Sequence, residues 1–146
     1  MTSEHGAAIQ SGWPPAFPRD GGRLRQWWMI VSTLLLVIVF AEAVFAGAML
    51  SGAGWARAAH WIDAMVAVAS MVVASPAAFA TLRRVPHGRR LGWILLAMAG
   101  VAFLQAALGA LSAKGANLLW AHVPLGVALV GGAGQAMAAA RKLGQP

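Results

Sequence analysis

The chain has 146 residues, of which 60% are hydrophobic and only 10% charged, with no cysteine, and its mean hydropathy is +0.69. A soluble domain carries about 25% charge and still exposes much of its chain to water, so it could not hide this much apolar surface. The composition indicates a membrane protein. It excludes a disordered chain, a disulfide scaffold, thiolate metal sites and covalently attached c-type haem.

Residues 1–26 are polar, carry prolines at 14, 15 and 18, and read as a disordered cytoplasmic tail. Four stretches then reach the roughly 20 residues a helix needs to cross about 30 Å of hydrocarbon. Residues 27–50 hold Glu42 as their one charge, and residues 58–82 hold Asp63. Residues 91–111 and 118–140 hold none. Ala46-Gly47-Ala48 resembles a signal-peptide cleavage site. The apolar run before it is too long for a signal core, so this helix is expected to be retained. Short connections at 51–57, 83–90 and 112–117 leave an all-α fold, an up-down four-transmembrane-helix bundle over residues 27–140. A basic tail follows at 141–146.

The net charge of +7 suggests nucleic acid until the charges are placed. All eleven Lys and Arg lie outside the apolar runs, where topology signals belong, so no nucleic-acid partner is expected. With the N-terminus inside, nine are cytoplasmic, and only Arg57 and Lys114 face out. The positive-inside rule then places both termini in the cytoplasm of a multi-pass protein of the bacterial inner membrane. Trp27, Trp28 and Trp93 mark one interface, and Trp55, Trp61 and Trp120 the other.

Ionisable residues inside a span are costly and point to function. His60 and His122 lie early in the second and fourth spans, at depths matched to within about 3 Å at 1.5 Å per residue. Asp63 is one turn below His60, a candidate to orient it. Glu42 and Gln105 reach the same outer half from the other two spans. In an up-down bundle the second and fourth helices are diagonal, so the two histidines would face each other across the core. That suits the axial ligation of one non-covalent haem b, with Arg57 and Lys114 as candidates for its propionates and Gln105 as a further cofactor-binding candidate. Gly47, Gly52, Gly100, Gly109, Gly126 and Gly131, with numerous alanines, would leave room for a flat ligand, or simply allow close helix packing. Four alternatives stand beside this reading. One is a mixed metal site of His60, His122, Glu42 and Asp63. Another is that both histidines only meet headgroup water. A third is a cofactor-free scaffold or accessory subunit of a larger membrane complex. The last is a proton path, disfavoured because the acids occupy only the outer half.

The stretch Phe103-Leu104-Gln105-Ala106-Ala107-Leu108-Gly109-Ala110-Leu111, followed by His122-Val123-Pro124-Leu125-Gly126, resembles the third and fourth helices of the haem A synthase family. His60 matches the family's histidine early in helix two. The family has two similar four-helix halves, and this chain would correspond to one. The resemblance implies a cytochrome b-like bundle that holds haem through His60 and His122. The family's catalytic half has a glutamate one turn before the helix-two histidine, where this chain has Arg57. The resemblance therefore implies a haem-holding half more than a haem-oxidising one. Any activity would be that of an oxidoreductase or electron-transfer subunit. The expected partners are the lipid bilayer and a membrane or redox protein, with homo-oligomerisation left open.

Overall fold

Within hydrocarbon every backbone N–H and C=O must be bonded inside the protein, so long apolar segments become helices. The computed structural model, which describes residues 20–145, is built from four. They are α1 (Asp20–Leu50), α2 (Ala56–Leu82), α3 (Gly88–Ala113) and α4 (Leu119–Arg141). All four are long and apolar enough to cross a membrane. The chain is thus a multi-pass membrane protein of four helices.

Consecutive helices pack side by side, and α1 closes the ring against α4. The diagonal pairs α1/α3 and α2/α4 make no close backbone approach among the described residues. The start of α1, the end of α4 and the α2–α3 turn lie at one end, called here the terminal end. The α1–α2 and α3–α4 turns form the distal end. Gly52 and Gly115 close the distal turns with φ of +87° and +97°. In each turn the residue after the glycine bonds back to the helix, Ala53 N–H to the Ala48 carbonyl and Ala116 N–H to the Leu111 carbonyl. This is the left-handed stop that glycine makes without strain.

The apolar core fills the terminal half. Leu82, Leu91, Leu95, Met71, Ala133 and Ala136 are fully or almost fully buried there. Phe40, Val73, Phe103 and Val127 face outward, as lipid-facing side chains do. Trp28 Nε1 ties α1 to α2 by donating to Thr81 Oγ1 at 3.2 Å. The distal half lacks a comparable apolar core, and Glu42, His60, Asp63 and His122, the ionisable side chains within the spans, gather there.

The helices begin and end differently from the spans. α1 starts at Asp20, so residues 20–26 are helical and not a coil tail. The reason is that Arg, Leu and Gln are good helix formers; Trp27 marks the membrane edge and not the helix start. Residues 1–19 lie outside the described residues, and so does the reading of them as a disordered tail. The C-terminal tail is also more than a solvated basic strip. Leu143 is buried in the core, and the Gly144 N–H donates to the Pro86 carbonyl at 3.4 Å. α2 and α4 continue through Pro76 and Pro124.

Candidate functional site

α2 and α4 both enter the bundle from the distal end. His60 is the fifth residue of α2 and His122 the fourth of α4. Their ring centroids are 6.3 Å apart, with the planes nearly perpendicular at 79°. The two helices themselves stand diagonally, so these side chains bridge the middle of the bundle.

Each ring is held from behind. His122 Nδ1 lies 3.1 Å from the backbone oxygen of Gln105 on α3. A carbonyl can only accept, so this bond places the proton on Nδ1 and leaves the Nε2 lone pair bare. The ring rests on Gly109, where a Cβ would come within 3.1 Å of His122 Cε1. Gln105 is in turn seated on α4, where a Cβ at Gly126 would meet its Nε2 at 3.0 Å. Each helix therefore lends a glycine to the other's polar side chain. His60 Nδ1 lies 3.3 Å from Glu42 Oε1 on α1, both side chains being 16% exposed. That is ion-pair range when His60 is protonated, without the alignment of a hydrogen bond.

The carboxylate that meets His60 Nδ1 is thus Glu42, while Asp63, the candidate one turn away, forms no ion pair with it. An i+3 neighbour lies beside the ring, whereas a residue on the adjacent helix can face its Nδ1 edge. Glu42 Oε2, Asp63 Oδ2 and Gln105 Oε1 are buried acceptors without a donor. Arg57 and Lys114 are exposed, at the start of α2 and the C-cap of α3. Neither takes part in an ion pair; His60–Glu42 is the one such pair among the described residues.

Two further expectations change. Gly109 and Gly126 do not leave space for a ligand, because His122 and Gln105 fill it. Gly132 is filled likewise by Met98. Gly47, Gly100 and Gly131 have nothing within 4 Å. A mixed histidine–carboxylate metal site is not assembled either. Among the described residues no three His, Asp or Glu side chains converge to hold an ion.

What remains is a pair of imidazoles. Two metal–nitrogen bonds of about 2 Å each, plus roughly 1 Å from nitrogen to ring centre at either end, span about 6 Å. The observed separation of 6.3 Å is close to that sum, and it is equally the spacing of two rings in direct edge-to-face contact. Two imidazoles leave four positions of an octahedral iron, which a porphyrin supplies. The two imidazoles are donors of the kind haem iron accepts, while Arg57 and Lys114 are exposed and no cation is turned inward for propionates.

The class that fold and site define is a four-helix polytopic membrane protein with a diagonal histidine pair in its distal half. No family model, curated protein or solved structure matches the chain.

Proposed function

We propose that this protein binds one haem b, with His60 and His122 as axial ligands through Nε2, and serves in electron transfer or haem handling. The observation that carries this reading is the histidine pair at 6.3 Å, with His122 Nδ1 bonded to the Gln105 carbonyl and His60 Nδ1 3.3 Å from Glu42. Metal-ligating histidines are held by such partners, a carboxylate or a backbone carbonyl, which set the tautomer and the ring angle. α1 and α3 flank the axis and make no close backbone approach to each other. A bound haem supplies one-electron redox chemistry. The chain's own residues hold it, orient the two rings and keep the site largely dry.

Nine of the eleven Lys and Arg lie toward the terminal end by sequence, which supports a cytoplasmic placement of both termini in a bacterial inner membrane. The haem then lies toward the periplasmic face. A single haem there cannot carry electrons across the bilayer alone, so the function calls for a membrane or redox partner. Arg57, standing where the haem A synthase family that the sequence resembles has a catalytic glutamate, supports holding haem over oxidising it.

The test is the visible spectrum of the protein purified in detergent after expression with haem supplied, oxidised and then dithionite-reduced. Sharp reduced α and β bands are expected. His60→Ala and His122→Ala should each lose haem while still inserting. Full haem content in either variant would overturn the ligand assignment.

One observation favours a second reading, a cofactor-free scaffold or accessory subunit. His122 and Gln105 already fill the glycine seats of the α3–α4 seam, as helix packing alone would require. A colourless, well-folded protein would decide for it.

A further inference from the structure

We propose that the groove between α1 and α2 at the terminal end binds an anionic phospholipid, with an acyl chain between the helices and the headgroup phosphate on Arg23 and Arg84. The inference is independent of the haem reading.

A cavity of about 320 Å³ separates the two helices there, lined by Leu24, Trp27 and Val31 of α1 and by Val73, Ala77 and Thr81 of α2. Its walls are mainly apolar. The polar pair at its mouth is already engaged: Trp28 donates to Thr81, and Thr81 donates to the Ala77 carbonyl at 2.8 Å. The groove thus offers apolar contact to an occupant. Val73 and Trp27 are 68% and 61% exposed, so it opens sideways to the bilayer and not toward another helix of this chain.

Charge lies where the groove ends. Arg23 is one helical turn before Trp27 on α1, and Arg84 lies in the turn just beyond the end of α2, three residues after Thr81, so each wall leads to an arginine. Both side chains are exposed. Apart from Arg57 and Lys114, every Lys and Arg of the described residues lies at this end, with Asp20 the one acid among the described residues there and Glu42 and Asp63 at the other. The field at the groove mouth is therefore positive. Trp27 on the groove wall suits headgroup depth. Basic pockets between membrane helices recognise anionic headgroups in this way. A free phosphate would use the arginines but not the apolar groove, and a zwitterionic lipid would use the groove but not the charge.

The experiment is native mass spectrometry of the full chain in detergent, titrated with dioleoylphosphatidylglycerol, with dioleoylphosphatidylcholine, and with inorganic phosphate. Phosphatidylglycerol should bind at least tenfold more tightly than phosphatidylcholine, and phosphate should not displace it. R23Q/R84Q should weaken phosphatidylglycerol about thirtyfold, the worth of two surface basic contacts, and leave phosphatidylcholine unchanged. R89Q/R90Q, at the same end but beyond the groove walls, should change neither. Ala77→Phe should weaken both lipids by filling the groove; if it fails to fold, the surface arginine variants decide alone. Equal affinity for the two lipids, displacement by phosphate, or equal losses in R23Q/R84Q and R89Q/R90Q would overturn the proposal.

Discussion

Replacing Gly109 by valine tests the seating of His122 directly. A Cβ at this position would sit 3.1 Å from His122 Cε1, where ordinary contact begins at 3.4 Å. Alanine therefore requires the ring to retreat by about 0.3 Å, a shift small enough to keep most of its packing. Gln105 is one turn before Gly109 on the same helix, so a retreat from one is a retreat from the other. The 3.1 Å hydrogen bond to the Gln105 carbonyl would lengthen toward 3.4 Å and weaken. Its loss costs about 0.6–1 kcal/mol, while removing a helical glycine returns about 0.5–1 kcal/mol, so Gly109→Ala should be nearly neutral. Valine adds two methyl groups in the volume of the ring and expels it. Overpacking of about 1–3 kcal/mol joins the lost bond, against a few tenths regained in propensity. The net destabilisation should be about 1.5–3.5 kcal/mol. Gly100→Val is the matched control, because nothing lies within 4 Å of that position. Reversible unfolding by sodium dodecyl sulfate in mixed micelles, followed by circular dichroism, measures both. Equal stability of Gly109→Val and Gly100→Val would refute the seating of His122 on α3.

Two other perturbations discriminate as sharply. Glu42→Gln should weaken haem binding about 10–100-fold, as loss of a ligand's orienting partner does, and Asp63→Asn should weaken it less; a haem titration giving the reverse order would return the orienting role to Asp63. Gly88→Ala should destabilise by about 3 kcal/mol, because its Cβ would collide with the Leu82 carbonyl, which is backbone and cannot swing aside; Gly132→Ala, which meets the flexible Met98 side chain at 3.1 Å, should stay within about 1 kcal/mol in the same unfolding assay.

The reciprocal glycine seats have a partial signature in the sequence. Gln105 and Gly109, and His122 and Gly126, share one spacing, a polar residue and a glycine one turn later. On adjacent antiparallel helices that repeat lets each polar side chain lie over the other helix's glycine. Taken one at a time, the glycines suggest vacant space; taken as a pair of matched spacings, they describe an interlock.

The sequence by itself determined the four spans, the membrane environment and the depth of each buried polar residue. These are one-dimensional properties: hydrocarbon thickness sets span length, and 1.5 Å per residue converts position into depth. Only the tertiary structure decided which polar groups touch. The helices are apolar on all sides, so no amphipathic stripe announces which face turns inward. Rotation about each axis depends on packing between residues distant in sequence, such as His122 on Gly109 and His60 on Glu42. That is why the common depth of Glu42, His60, Asp63, Gln105 and His122 was legible, while the choice of Glu42 over Asp63 as the partner of His60 was not. It is also why α1 runs on to Asp20 and Leu143 folds back into the core. Hydropathy records where a chain leaves the membrane, and hydrogen bonding and packing decide where its helices stop.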